Sequence, residues 1–266
     1  MTPNSNRRVI ISILQYQDEI AAGSLTVFDL INKVISFGVD GIELRREPWK
    51  NYQAEVAPVR EQLDAHGKFA VYATFSTLFS PDDNGRKLLM HDIDTARALG
   101  SPLLRLFPGI TPEDDSDPAW SFAKEAVEYA ASLGVVLALE NFGKSPGSTV
   151  REITRILNAI PHPALQTNID IGNYASNGED VVEAIQAVGE RAVYVHLKDK
   201  LGSKSDATTH LGGGDMPMHE IMTALEALPQ RIIYCFEFAG AGEADARIEK
   251  SLAYLRDLHQ SQGRHA

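Results

Sequence analysis

Features that mark secreted, membrane-bound or disulfide-stabilised proteins are scarce in this sequence. Cys235 is the only cysteine, so no intramolecular disulfide can form and a reducing cytoplasm is the expected location. No apolar run approaches the roughly 18 residues that cross a bilayer. The opening residues, MTPNSNRRVI, lack the apolar segment of a signal peptide. We therefore expect a cytoplasmic protein without a membrane segment.

Positive charge is also in short supply. The 266 residues include 36 acidic and 25 basic side chains, which gives a formal net charge of −11, and no basic block interrupts this balance. Such a surface argues against binding to nucleic acid or to an anionic membrane, and favours small-molecule chemistry. The length and composition fit a single α/β domain over residues 1–266, and they allow a homo-oligomer without specifying one.

A glycine-rich turn after the first strand, typical of doubly wound dinucleotide-binding folds, is missing between Ile11 and Gln17. Eight short apolar segments are instead predicted to be strands, with starts between 26 and 40 residues apart, a spacing that leaves room for one crossover helix after each. We predict a (β/α)8 TIM barrel in a single domain. The predicted strands are Arg8 to Leu14, Gly41 to Arg45, Phe69 to Phe75, Leu103 to Phe107, Val135 to Glu140, Gln166 to Asp170, Ala192 to Leu197 and Ile232 to Phe238.

The last four predicted strands each end in a side chain that can bind a metal ion. These are Glu140, Asp170, His196 and Glu237. Each residue alone is more simply explained as a hydrogen-bonding group near a strand end. Four at successive ends of a parallel barrel, where ligand sites are built, instead predict one site. Three carboxylates and one imidazole suit a single divalent ion such as Mn²⁺, Mg²⁺, Co²⁺ or Zn²⁺.

The alternation of side chains along a strand is compatible with this site. If Glu140 points into the barrel, so does Ala138, and if Glu237 points inward, so does Cys235. The bulkier neighbour Phe236 then faces the helices. No charged side chain is forced into the helix layer by these assignments.

Charged residues in the earlier strands add candidates for substrate binding. Glu43 ends the second strand together with Arg45, where it could hold a sugar hydroxyl or carboxylate, or form an ion pair at the rim. Arg105 lies within the fourth strand and, if buried, needs an anionic partner. We expect it to brace a site carboxylate, with a substrate anion as the alternative.

The loop after the seventh strand carries a second group of candidates. Lys198 follows His196 closely, and a glycine-rich segment, HLGGGDMP, begins at His210. Consecutive glycines allow backbone amides to approach a phosphate, but the segment can equally be a turn in which Asp215 caps the next helix. Lys198 and His210 are predicted substrate contacts.

Several of these motifs occur together in one known family. The segments GIELR, LENFG, IDIGN, HLKDK followed by HLGGGD, and FEF make the chain resemble the xylose isomerase-like barrels of the sugar phosphate isomerase and epimerase superfamily. The resemblance implies that Glu140, Asp170, His196 and Glu237 bind one divalent cation. In the ketose 3-epimerase branch the two matching glutamates also transfer the proton, which implies a catalytic role for Glu140 and Glu237.

The chain departs from that branch at three substrate-binding positions. A histidine, a glutamate and an arginine of the ketose 3-epimerases are replaced by Asn173, Pro146 and Gly202. A free-ketose 3-epimerase in the narrow sense is therefore not expected, and Asn173 is a predicted substrate contact. The endonuclease IV branch gathers extra histidines around three metal ions, which this chain lacks.

The expected function is a divalent-metal-dependent isomerase or epimerase that moves a proton through an enediolate on a sugar, sugar acid or cyclic polyol ketone. A dehydratase of the inosose or dehydroshikimate kind is the closest alternative, since loss of a neighbouring hydroxyl uses the same apparatus. A non-catalytic sugar-binding barrel is the alternative from another class. The expected partner in each case is a small carbohydrate.

Overall fold

The computed structural model describes residues 7–46, 49–143, 145–202 and 206–262, and these form a closed barrel of eight parallel strands surrounded by helices. β1 pairs with both β2 and β10, which closes the ring and confirms the predicted (β/α)8 TIM barrel. A small antiparallel sheet, β8 with β9, lies after the seventh barrel strand. The barrel strands are β1 (Arg7–Ser12), β2 (Gly41–Leu44), β3 (Phe69–Phe79), β4 (Leu103–Gly109), β5 (Val136–Glu140), β6 (Leu165–Asp170), β7 (Ala192–Leu197) and β10 (Ile232–Phe236); the small sheet is β8 (Asp199–Lys200) and β9 (Thr208–Thr209).

Helices connect the strands and end where glycines allow a left-handed residue. Gly38 caps the second helix with a φ of 70°, and Gly134 follows the fifth helix with the same φ. The helices are α1 (Gln17–Ala21), α2 (Val27–Phe37), α3 (Tyr52–Ala65), α4 (Asp83–Leu99), α5 (Pro118–Ser132), α6 (Val150–Ala159), α7 (Ile171–Ser176), α8 (Val181–Val188), α9 (Met218–Glu226) and α10 (Ala244–Gln262).

Buried apolar side chains form two layers separated by the sheet. The barrel interior contains Ala138 and Cys235, together with residues of the other strands, while Leu139, Tyr234 and Phe236 pack in the larger cluster beneath the helices. The predicted inward and outward faces of β5 and β10 are therefore confirmed. This alternation leaves the inward positions at the strand ends free for polar groups.

Three predicted strands are too long at their C-terminal ends, the second by only one residue, because β2 ends at Leu44 and not at Arg45. β1 stops at Ser12 instead of Leu14, because the Ser12 hydroxyl accepts a hydrogen bond from the Leu14 amide at 3.2 Å and caps a 3-10 turn over Ile13–Tyr16. β10 stops at Phe236, so Glu237 lies directly after the strand and not within it. All three ends point toward the same mouth of the barrel.

The helices of the described residues are all too short or too polar to span a lipid bilayer. The expected cytoplasmic location stays a prediction.

Candidate metal centre

Four strand ends bring together the side chains that the sequence predicted as metal ligands. Glu140 ends β5, Asp170 ends β6, His196 lies in β7 and Glu237 follows β10. Each can offer one ligand atom such that all four atoms lie within 4.8 Å of one another, and all four residues are buried. The register of the strands brings these side chains together. His196 in β7 is aligned with Asp170 in β6 and with Cys235 in β10, and Cys235 is two residues before Glu237.

The imidazole of His196 is oriented by a carboxylate below it. Its Nε2 lies 2.7 Å from Glu43 Oε2, so the ring donates Nε2–H to Glu43 and leaves Nδ1 as the ligand atom. Nδ1 is 3.3 Å from Glu237 Oε2 and 3.6 Å from the nearest oxygens of both Glu140 and Asp170. Asn168 Nδ2 lies 3.2 Å from the same nitrogen. The carboxylates of Glu237, Glu43 and Glu140 outweigh burial and raise the pKa of His196 well above its ordinary value, so a bound cation would displace the proton from Nδ1.

Three cationic side chains neutralise most of the negative charge. Arg105 Nε lies 2.9 Å from Glu140 Oε2, which places the arginine in the bracing role that the sequence favoured. Arg45 pairs with both Glu43 and Glu237. Lys198 Nζ lies 2.6 Å from Asp170 Oδ2 and 2.5 Å from Glu237 Oε2.

These cations keep both glutamates of the quartet in their ionised form. Burial raises the pKa of the Glu237 carboxyl, but His196 and Lys198 lower that pKa well below its ordinary range. Burial likewise raises the pKa of Glu140, and the charges of Arg105 and His196 more than offset it, so the pKa is lowered. Both groups are therefore carboxylates at neutral pH.

The centre fits a divalent cation. Its donor set combines hard carboxylate oxygens with one imidazole nitrogen. Two of its carboxylate oxygens are already paired with cations, Asp170 Oδ2 with Lys198 and Glu140 Oε2 with Arg105. A lysine ammonium is already drawn to two of the ligand carboxylates, which shows that this position attracts positive charge.

A model of the xylose isomerase-like TIM barrel family matches residues 31–258, most of the chain. The chain belongs to this family. The resemblance that the motifs indicated is thereby confirmed, as is the barrel that it implied.

Curated relatives match smaller parts of the chain. An uncharacterized protein of Methanocaldococcus jannaschii is 29% identical over 179 residues, which are 60% of this chain and 61% of that protein. A fructoselysine 3-epimerase of Escherichia coli O157:H7 is 30% identical over 101 residues, 37% of this chain and 36% of that enzyme. The matches thus span less than two thirds of these relatives' own lengths.

Solved structures of the family share the fold over nearly the whole chain. A D-tagatose 3-epimerase-like protein superposes with a TM-score of 0.76 at 18% identity, covering 96% of this chain and 99% of that one. A probable 3-DHS dehydratase from Bacillus anthracis gives a TM-score of 0.77 at 15% identity, covering 94% and 98%. At these identities the likeness establishes the barrel alone.

Glu43 lies beneath the metal quartet, with no solvent-accessible surface. Besides His196, its carboxylate accepts hydrogen bonds from Ser12 Oγ at 2.9 Å and Tyr194 OH at 2.8 Å, and it pairs with Arg45. All of its contacts are therefore within the protein. Its predicted contact with substrate stays a prediction, while this geometry favours a role in orienting His196.

The mouth of the barrel opens into a cavity of about 380 Å³ beside the quartet. Lys198 and Asn173 both line it, and their predicted contact with substrate stays a prediction. The Asn173 side-chain amide also donates to Glu140 Oε1 at 3.2 Å. His210 is not among the lining residues; its ring contacts Thr209 Oγ1 at 3.2 Å. The structure therefore brings two of the three C-terminal candidates to the site.

Several residues of the centre were not assigned a role from the sequence. Tyr194 and Ser12 contact Glu43, and their roles depend on contacts between strands far apart in the sequence. The ion pair of Glu43 with Arg45, one of the two expectations for this strand end, is present. Asn141 joins the ends of β5 and β6, because its amide exchanges two hydrogen bonds with the Asp170 backbone at 2.8 and 2.9 Å. Its position next to Glu140 in LENFG was the only available signal.

The glycine-rich loop is built around a buried aspartate and not around an open anion cradle. Asp199 accepts hydrogen bonds from the amides of Lys200, Gly214 and Met216 at 2.8, 2.9 and 3.1 Å. The expected helix cap at Asp215 is wrong, since its carboxylate accepts from the Gly202 amide at 2.8 Å and α9 begins after Pro217 without a side-chain cap.

Proposed function

We propose that this protein is a divalent-metal-dependent isomerase or epimerase that acts on a sugar, a sugar acid or a cyclic polyol ketone. The observation that carries the proposal is the pair Glu140 and Glu237, two buried carboxylates of one candidate metal centre that are held by Arg105 and Lys198. The likeness to a fructoselysine 3-epimerase and to a D-tagatose 3-epimerase-like structure supports the same reaction class.

The two glutamates are held so that each can exchange a proton with a substrate carbon. Arg105 and Asn173 fix Glu140, while Arg45 and Lys198 fix Glu237. One carboxylate removes the proton beside the substrate carbonyl and, as the carboxylic acid so formed, can return it to the neighbouring carbon. Epimerisation at the same carbon requires the second glutamate to take up a proton from water first and then deliver it to the opposite face. A bound divalent cation supplies electrostatic stabilisation of the negative charge that develops on the substrate oxygens.

Solvent exchange tests this proposal directly. Candidate keto sugars and inososes are incubated in D₂O, and deuterium entering the carbon beside the carbonyl is followed by NMR. The exchange rate should fall by about 10²- to 10⁴-fold in Glu140→Gln and in Glu237→Gln, because the amide keeps an oxygen but cannot accept the proton.

Glu125→Gln is the matched control, because this glutamate is exposed on the outer face of α5. It should exchange deuterium at the wild-type rate. If a wide panel shows neither exchange nor product, while wild type binds metal and sugar tightly, the proposal fails and a sugar-binding barrel takes its place.

A dehydratase is the second candidate. Lys198 lines the cavity while its ammonium lies 2.5 Å from Glu237 Oε2, so a cation that can donate a hydrogen bond to a departing hydroxyl is already beside the base. The NMR experiment separates the two reactions, since a dehydratase forms an unsaturated product and an isomerase does not.

A further inference from the structure

A second lysine, Lys200, lies in the wall of the mouth cavity. Only 2% of its surface is exposed, yet it lines the same cavity of about 380 Å³ as Lys198. β8 holds its backbone, and Asp199 accepts a hydrogen bond from its amide at 2.8 Å. The side chain is thus placed by a fixed element next to the candidate metal centre.

The ammonium of Lys200 lacks the partner that buried lysines normally have. It donates one hydrogen bond to Ser176 Oγ, and that hydroxyl in turn donates to the Gly172 carbonyl at 3.0 Å. Whereas Lys198 pairs with two carboxylates, Lys200 forms no ion pair with any carboxylate in the described ranges. Since an ammonium has three donors, two remain for a group in the cavity.

The remaining charges near the cavity compensate this ammonium only in part, because Asp206 and Asp170 attract it while Lys198 repels it. Asp206 and Asp18 line the cavity but are exposed, so water solvates their carboxylates. Burial lowers the pKa of Lys200, which shows that the protein alone disfavours the charge there. A buried ammonium without a counter-ion is costly, and an anion bound in the cavity would remove that cost.

Gln15 gives an independent sign that the cavity is shaped for a ligand. Its side chain is only 2% exposed, and its Nε2 donates to the Phe236 carbonyl at 2.9 Å. Its Oε1 is buried without a hydrogen-bond partner within the described structure, although Gln15 lines the cavity. An acceptor of this kind suits a substrate hydroxyl.

Helix α7 connects Lys200 to the candidate metal centre and so fixes the distance between them. Ser176, which contacts Lys200, follows Asn173 by three residues, and Asn173 contacts Glu140 of the quartet. Positions three apart on a helix are neighbours, about 5–6 Å apart at Cβ. A group bound by Lys200 therefore lies roughly one helical turn from the quartet.

We propose that Lys200 binds an anionic group, a carboxylate or a phosphate, carried at the end of the substrate away from the carbonyl. The proposal rests on the proposed function, because it names the substrate class of that site: a polyhydroxy ketone with a negative charge. Gln15 then accepts from a hydroxyl of the same molecule. Neutral ketoses bind weakly, because they leave Lys200 without a counter-ion.

Three ketoses that differ only at carbon 6 test this recognition: D-fructose, D-fructuronate and D-fructose 6-phosphate. Their dissociation constants are measured by isothermal titration calorimetry on the protein as purified. At least one anionic ketose should bind wild type about tenfold more tightly than fructose or better, a difference of about 1.4 kcal/mol. Which of the two binds more tightly distinguishes carboxylate from phosphate.

Variants of Lys200 test whether this lysine causes the preference for anionic ketoses. Lys200→Met should remove the advantage of the anionic ketoses, Lys200→Arg should keep it, and the exposed Lys124→Met on α5 should behave as wild type. Equal binding of all three ketoses by wild type overturns the proposal even if Lys200→Met does not fold. A preference that survives in a folded Lys200→Met overturns it as well.

The binding measurement also separates this proposal from the proposed function. An anion preference that depends on Lys200, without deuterium exchange on any ketose, contradicts the isomerase and leaves the anion site supported. Deuterium exchange that is as fast on fructose as on its anionic counterparts, together with equal affinities, supports the isomerase and contradicts the anion site.

Discussion

At the level of single residues, Glu43 combines burial, charge and four hydrogen-bonding partners. Its carboxylate lies 2.7 Å from His196 Nε2 and is supported by Ser12 and Tyr194. Partners of this kind fix the tautomer of a metal-binding histidine and raise its basicity. Glu43 is thereby a positioning residue for the ligand atom Nδ1.

Replacement of Glu43 by Gln should weaken divalent-metal binding by about 10- to 100-fold, the effect usual for such outer partners. The amide can still contact the ring, but it no longer balances the charges of His196 and Arg45. Titration of metal-free protein with Mn²⁺ by calorimetry measures the affinity, and ¹⁵N NMR of the imidazole reports its tautomer. Thermal melting checks that the variant is folded.

The exposed Glu61→Gln on α3 is the control and should leave both readouts unchanged. An unaltered metal affinity and imidazole spectrum in a folded Glu43→Gln would contradict the positioning role.

The meeting of the four candidate ligands was predictable from the sequence, whereas the partners of Glu43 were not. Each ligand stands at the end of its own strand, a property of local sequence alone. The depth of Glu43 in the barrel depends on the stagger between β2 and its neighbours, which brings it to His196, 153 positions away. Strand alternation fixes the face on which a side chain lies and not its partners across the barrel.

At the level of elements, the consecutive glycines between β8 and α9 differ in how closely neighbouring atoms approach them. A Cβ on Gly214 would lie 2.3 Å from the Lys200 carbonyl oxygen and 2.5 Å from Asp199 Oδ1. A Cβ on Gly213 would instead meet the His210 ring at 2.6 Å. The first neighbour is backbone and cannot yield, while the second is a side chain that can rotate.

We therefore predict that Gly214→Ala destabilises the protein by about 1–3 kcal/mol, the usual cost of overpacking, and Gly213→Ala by less. Urea denaturation gives both free energies of unfolding. Hydrogen exchange should show faster exchange of the Gly202 amide in Gly214→Ala, because its acceptor Asp215 lies in the displaced turn. Equal costs for the two substitutions would show that the loop adapts to either side chain.

The number and order of the barrel strands followed from spacing alone, because each crossover helix needs a similar length of chain. The small sheet of β8 and β9 was not predicted. Two residues per strand, Asp199–Lys200 and Thr208–Thr209, are too few for a periodic pattern, and their pairing depends on the Asp199 contacts beyond them. The prediction that Asp215 caps a helix was wrong for the same reason, because its contact with the Gly202 amide depends on how this loop folds.

For the whole molecule, the candidate metal centre joins four strands that come from different parts of the chain. Its ligands lie on or directly after β5, β6, β7 and β10, which together make half of the closed ring. The carboxylates repel one another unless cations intervene, and Arg45, Arg105 and Lys198 supply part of that charge. A divalent ion bound there should therefore stabilise the entire barrel against unfolding.

The purified protein should contain about one divalent ion per chain, and its removal should lower the melting temperature. Free metal at a hundred times the dissociation constant stabilises the folded state by about 2.7 kcal/mol. In a domain of this size that corresponds to a shift of roughly 5–10 °C. Elemental analysis gives the stoichiometry, and melting curves of EDTA-treated protein with added Mn²⁺, Mg²⁺, Co²⁺ or Zn²⁺ give the shift and rank the ions.

The shift should disappear in His196→Ala and shrink in Asp170→Asn, since each removes a ligand from the same centre. Glu125→Gln should retain it, because that side chain lies on the outer surface of α5. Equal metal content and equal shifts in wild type and His196→Ala would mean that the ion binds elsewhere, and the quartet would then be a network of buried ion pairs held together by Lys198 and the two arginines.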